Sequence, residues 1–167
     1  MIKTFNSLLV TIFGLGKIRL MPGTIGSLAT TIFLFYLFHK INISSNVILV
    51  GWIIIFIYSF YAVSTHIKDS KNKDPGEIII DEFLGQSIPI YLYEISHGTT
   101  KEASEAIVYY VLFFILFRYF DIMKPFPVSF FDKNFKNSFG VIMDDICAGL
   151  YVVLTVVCFM VVKSYVL

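Results

Sequence analysis

The sequence predicts an all-α protein, a helical bundle embedded in a membrane, and three observations carry that prediction. The first is composition: 57% of the 167 residues are hydrophobic, mean hydropathy is +0.79 and 15% are charged, against roughly 25% charged in ordinary soluble domains. The second is the gathering of apolar residues into five runs, at about 24–38, 47–63, 78–93, 106–120 and 146–162, each too long for a strand. Runs of about 15–17 residues lie near the short end for crossing a hydrocarbon core, where about 20 is typical. The third is loop charge. Lys and Arg number three before the first run (Lys3, Lys17, Arg19), then one (Lys40), three (Lys68, Lys71, Lys73), one (Lys101), four (Arg118, Lys124, Lys133, Lys136) and one (Lys163). Positive residues accumulate on the cytoplasmic side of membrane segments. The alternation therefore predicts a cytoplasmic N-terminus, five crossings or deep insertions, and a cytoplasmic face for the first, third and fifth regions.

The length suits one domain over residues 1–167. A net charge of +1 without a basic stripe argues against nucleic-acid partners. Cys147 and Cys158 share the last apolar run, have no metal-ligand or C-x-x-C spacing, and read as buried thiols.

Taking the elements in order, residues 5–13 imitate a signal-peptide core, but Lys17 and Arg19 stand where a cleavage site belongs. The stretch reads as an interfacial or packed helix. Before the first long run come Gly14, Gly16 and Pro22-Gly23-Thr24-Ile25-Gly26-Ser27. Pro22 suits a helix entrance, Thr24 or Ser27 a cap, and the free amides of a helix start attract anions. Alone, that motif is explained more simply as a glycine-rich turn.

The third run opens with Asp74-Pro75-Gly76-Glu77 and presents Asp81 and Glu82, about 100° apart on a helix. Glu77 reads as a solvated helix end. Gly85 lies one turn on and clears space for a second helix, and Pro89 should kink or end this one. The fourth run ends with Arg118, Asp121 and Lys124 on nearly one face, which as a bland reading is an ion pair at a snorkelling helix end. The last run opens with Asp144-Asp145, followed one turn later by Ala148-Gly149. His39, His66 and His97 fall between runs and read as solvated.

A charge within an apolar helix costs roughly 2.5–3.5 kcal/mol at bilayer centre, so acids at several helix ends call for a compensating partner. Two like charges about 4 Å apart repel by about 4 kcal/mol at an effective dielectric of 20. A cation removes that repulsion, and Mg²⁺ fits a set of carboxylates without His or Cys. The sequence has no Cys-x5-Arg loop, no D-x-D-x-[TV] nucleophile and no G-x4-G-K-[ST] loop. Metal-assisted attack of water on a phosphomonoester is the chemistry left.

Together the motifs resemble the phosphatidylglycerophosphatase A family. The resemblance rests on Pro22-Gly23-Thr24-Ile25-Gly26-Ser27, Asp81-Glu82-x-x-Gly85, Phe117-Arg118-x-Phe120-Asp121-x-x-Lys124-Pro125-x-Pro127 and Gly140-x-x-x-Asp144-Asp145-x-x-Ala148-Gly149. It implies an all-α fold with one helix surrounded by others, and a Mg²⁺-dependent phosphatase that converts phosphatidylglycerophosphate to phosphatidylglycerol in the cytoplasmic membrane. On that reading Asp81, Glu82, Asp144 and Asp145 hold the metal, and Asp121 is a further ligand or the base. Thr24, Gly26, Ser27, Arg118 and Lys124 bind the phosphate; Asp121, Lys124 and Asp145 carry the catalysis. The rival is a small transporter or proton relay, whose acids would be spread through the bilayer depth.

Overall fold

A computed structural model of the chain describes residues 2–68, 75–97 and 103–166. The loop residues Lys71, Lys73, Asp74 and Lys101 lie outside them. The described residues form seven helices and no strand: α1 (Ile2–Val10), α2 (Pro22–His39), α3 (Ser45–Lys68), α4 (Ile80–His97), α5 (Ala103–Met123), α6 (Val128–Asn134) and α7 (Ser138–Val166), with a 3-10 turn at Leu15–Lys17.

The five apolar runs correspond to α2, α3, α4, α5 and α7. Three of these, α3, α5 and α7, are long and apolar enough to cross a membrane, rather than all five. The shortfall has a compositional cause. Within its 18 residues α2 carries Thr24, Ser27, Thr30 and Thr31, and α4 carries Asp81, Glu82, Gln86 and Glu94. Thr30 and Thr31 return their hydroxyls to the Gly26 and Ser27 carbonyls at 2.8 Å each, which satisfies them inside α2. On the three candidate spans the outward residues are large and apolar, among them Ile57, Val108, Ile115 and Phe159, as a lipid-facing surface requires.

α4 occupies the middle. It packs against α2, α3, α5 and α7, and nine of its 18 residues are buried, against three of 24 in α3. Ile80 and Leu84 join Val10, Ala62, Val63 and Ile142 in one apolar cluster, while Ile90 joins Leu34, Tyr110, Phe117 and Val152 in another. The surrounded helix implied by the family resemblance is thus α4.

α4 continues through Pro89 to His97, so the proline does not end the helix, one of the two outcomes that the sequence suggested. Pro89 has no amide proton for the Gly85 carbonyl, and α7 closes over that carbonyl. A Cβ on Gly149 would lie 2.3 Å from the Gly85 oxygen, and one on Gly85 would lie 2.3 Å from the Asp145 oxygen. The two glycines permit a backbone-to-backbone crossing that Cα–H···O contacts suit.

Several local readings are corrected. α2 is preceded by Met21 in the left-handed region at φ 50, with no side-chain cap; Thr24 and Ser27 lie inside the helix, and Ser27 donates to the Gly23 carbonyl at 2.9 Å. Asn137 caps α7, accepting the Phe139 and Gly140 amides at 3.1 Å each. α1 is a packed helix, joined to α3 through Asn6 Nδ2 to Thr65 Oγ1 at 2.7 Å and Tyr58 OH to Asn6 Oδ1 at 2.8 Å. Cys147 is buried but Cys158 is exposed, because the end of α7 extends beyond its neighbours' packing.

The histidines close helices and are paired. His39 Nε2 lies 3.0 Å from Glu94 Oε1, which also accepts from Tyr110 OH at 2.9 Å. His66 Nε2 lies 2.8 Å from Glu77 Oε1, and the His97 ring packs on Tyr93. Glu77 is therefore a hydrogen-bond partner of His66 as well as a half-open helix approach.

Candidate active site

The N-terminal ends of α2 and α4, the C-terminal end of α5 and the second turn of α7 enclose a cavity of about 380 Å³. Asp81, Glu82, Asp121, Asp144 and Asp145 all line it, with Arg118, Lys124 and Thr24. Gly26 and Ser27 do not. Gly26 faces Ile79, where a Cβ would meet the side chain at 3.0 Å, and Ser27 is spent on its own helix. Gly23 takes their place at the wall: a Cβ there would lie 2.3 Å from Glu82 Oε1 and 3.1 Å from Arg118 Nη1.

Within the cavity the acids divide into two sets. Asp81, Glu82 and Asp145 each offer a carboxylate oxygen within 4.8 Å of the others. Asp144 stands outside that trio: its Oδ2 accepts from Lys124 Nζ at 2.9 Å and its Oδ1 from the Asp145 amide at 3.0 Å. Asp121 is held by Arg118 Nη1 at 3.0 Å and reaches the Asp145 carboxyl.

Burial, followed by the adjacent Glu82, holds Asp81 well above its ordinary pKa of 3.8. Glu82 is raised from 4.5, again chiefly by burial. Glu82 Oε2 is buried with no hydrogen-bond partner, a costly state for a carboxylate. An all-oxygen trio with an orphaned, buried oxygen fits a hard divalent cation.

Asp132 and Lys136 also line the cavity and were not singled out in the sequence. Asp132 Oδ1 accepts from Lys124 Nζ at 2.7 Å, and Lys136 Nζ donates to the Asp132 carbonyl at 2.6 Å. Burial lowers the Lys124 ammonium, but its bonds to Asp132 and Asp144 outweigh that and leave it above its ordinary 10.5. Burial would raise Asp132, yet Lys124 overrides it and the carboxyl sits below 3.8. Lys124 reaches both acids from a left-handed turn, φ 44, that ends α5 ahead of Pro125. The only sequence signal for Asp132 was a lone acid among Phe130, Phe131 and Lys133.

With Asp132 and Lys136 included, the described residues of the wall supply six carboxylates and three cationic side chains. Oriented carboxylates, a guanidinium and an ammonium in one buried hollow can bind a phosphate through a metal and move a proton from water.

A model of the phosphatidylglycerophosphatase A family matches residues 8–160. Phosphatidylglycerophosphatase A of Haemophilus influenzae is 36% identical over 149 residues, covering 89% of this chain and 85% of that protein. The Escherichia coli protein of the same name is 33% identical over 144 residues, or 86% of this chain and 76% of that one. A Bacteroides thetaiotaomicron protein named provisionally as a phosphatidylinositol-3-phosphatase is 29% identical over 145 residues, 86% of each. No solved structure matches the chain.

Proposed function

The chain belongs to the phosphatidylglycerophosphatase A family, and from that membership we propose that it hydrolyses the terminal phosphomonoester of phosphatidylglycerophosphate, giving phosphatidylglycerol and inorganic phosphate. The observation that carries the reading is the meeting of Asp81, Glu82 and Asp145 within 4.8 Å in a cavity that also presents Arg118 and Lys124.

Asp81, Glu82 and Asp145 would hold Mg²⁺. When bound, the ion supplies charge neutralisation and Lewis-acid polarisation of the phosphoryl oxygens. Arg118, with its planar fork, and Lys124 bind the phosphoryl group. The amides of Gly23 and Thr24, in the first turn of α2, have no intrahelical acceptors and no side-chain cap competes for them. Asp121, oriented by Arg118, takes a proton from the attacking water. As the new P–O bond forms and the ester P–O bond breaks, that proton passes to the glycerol oxygen that leaves. Asp144 keeps Lys124 aimed at the site, and Asp132 steadies the same ammonium from α6.

The setting suits a lipid substrate. α3, α5 and α7 are apolar enough to cross a membrane, and the cavity gathers residues from the three loop regions richest in Lys and Arg. That distribution supports a multi-pass protein of the cytoplasmic membrane with its site on the cytoplasmic side. The test is phosphate release from phosphatidylglycerophosphate in detergent micelles, with Mg²⁺ and with chelator, for wild type and Asp145→Asn. Release that needs the metal and disappears in the variant supports the reading. A folded wild type that releases phosphate only from phosphatidylinositol 3-phosphate, or from no lipid, overturns it.

A further inference from the structure

Among the described residues three cations line the cavity, and two are matched to carboxylates: Arg118 to Asp121 at 3.0 Å, Lys124 to Asp132 at 2.7 Å and to Asp144 at 2.9 Å. Lys136 is placed differently. Its Nζ donates to the main-chain carbonyl of Asp132 at 2.6 Å, and its charge favours the Asp132 carboxylate from a distance without the close ion pair that Lys124 makes with it. Because Asp132 also holds Lys124, Lys136 stands one residue outward from the Lys124–Asp144 pair, at an exposed position. The acceptor belongs to the last turn of α6, where carbonyls lack helical partners. The anchor is therefore supplied by local backbone, and the ammonium, shared only at a distance with Asp132, can serve an anion in the cavity.

The substrate carries two phosphates joined through a three-carbon glycerol unit. The terminal monoester, with the greater charge, goes inward to Arg118, Lys124 and the acid trio. The diester, which bears a single negative charge and leads to the acyl chains, must then lie toward the cavity rim. A compact ammonium suits a monoanion that needs no forked recognition. We propose that Lys136 binds the phosphodiester of the substrate and makes the site selective for a lipid phosphomonoester with a second phosphate one glycerol away. This rests on the reading of the cavity as a lipid phosphatase site.

The competing role for Lys136 is as a helix C-cap, and two inhibitors separate the roles. Phosphatidylglycerol keeps the diester and lacks the monoester; inorganic phosphate fills the monoester position alone. In detergent micelles with Mg²⁺, Lys136→Gln lowers kcat/KM for phosphatidylglycerophosphate and weakens inhibition by phosphatidylglycerol, each about tenfold, the scale of one charge-assisted hydrogen bond. Inhibition by inorganic phosphate stays within about twofold, and Lys136→Arg restores both losses. Equal weakening of both inhibitors, or no change in either, overturns the role of Lys136 while leaving the phosphatase reading in place. A folded wild type with no turnover removes both.

Discussion

Gly149→Ala tests whether the α4–α7 crossing sets the geometry of the site. The added Cβ would lie 2.3 Å from the Gly85 oxygen. Contacts under 3.0 Å between a Cβ and backbone essentially never occur, so the helices must part by at least 0.7 Å, and by 1.1 Å to reach ordinary contact at 3.4 Å. Neither atom can move alone, because both belong to helix backbone. Overpacking of this kind costs about 1–3 kcal/mol, which a folded bundle survives. Catalysis is less tolerant. Asp145 sits one turn before Gly149, and Asp81 and Glu82 one turn before Gly85, so separation at the crossing opens the trio that now lies within 4.8 Å. A misplacement of about 1 Å costs on the order of 10²-fold in rate. The assay is kcat/KM for phosphate release beside Tm in the same detergent, with Gly51→Ala as the control. Gly51 lies within α3 with nothing within 4 Å of its added Cβ, so that change should keep full activity and gain up to about 1 kcal/mol. Gly149→Ala with wild-type kcat/KM would refute the reasoning.

Three further outcomes follow from the same geometry. Lys124→Met leaves Asp132 and Asp144 facing each other without their cation, and should cost about 1–3 kcal/mol by denaturation in detergent, together with most of the activity; a variant as stable and active as wild type would deny Lys124 its central place. Removal of divalent cation should make stability pH-dependent through Asp81 and Glu82. Their folded pKa values lie above the ordinary 3.8 and 4.5, so their contribution is fully present below those values and is lost as pH rises through the folded ones. Asp132, lowered below 3.8, works oppositely and loses its contribution as pH falls through its folded value. The rise in Tm on adding Mg²⁺ should therefore grow from pH 4 to pH 7, and a flat difference would contradict a cation on those carboxylates. Tyr110→Phe deletes the 2.9 Å bond to Glu94 at the other end of α4, and should lower stability by about 1 kcal/mol and lower kcat with it, because that end helps to hold α4 in place; a full kcat would deny it that part.

Sequence pattern reached the helices and the inner wall of the site because both are written in local spacing. Apolar runs marked five long helices, and Gly85 with Ala148-Gly149 marked a close crossing one turn beyond the acids. What it missed depends on residues brought together from afar. Glu94 pairs with His39 across 55 positions and with Tyr110 across 16, so nothing near His39 hinted that it was anything but solvated. Asp132 and Lys136 reach the cavity only because the chain folds back through α6 after Pro127, a turn that hydropathy does not encode. Pro89 does not end α4, and local spacing could not show why, because the glycine of α7 that covers the freed carbonyl is a tertiary feature. Hydropathy alone does not rank the five runs, for a related reason: periodicity cannot tell a helix that faces lipid from one, like α4, that other helices enclose.

α4 is fastened at two levels. Near its start the glycine crossing fixes it against α7, and near its end Glu94 is gripped by His39 of α2 and Tyr110 of α5. Asp81 and Glu94 are 13 positions apart, about 20 Å along the axis at 1.5 Å per residue. A rod pinned at one point can still slide or pivot; pinned at two, through three different neighbours, it can do neither. The polar grip thus acts as a remote brace. It holds the first turn of α4 in axial and rotational register, so the spacing of oxygens in the acid trio depends on a contact on the opposite side of the bundle.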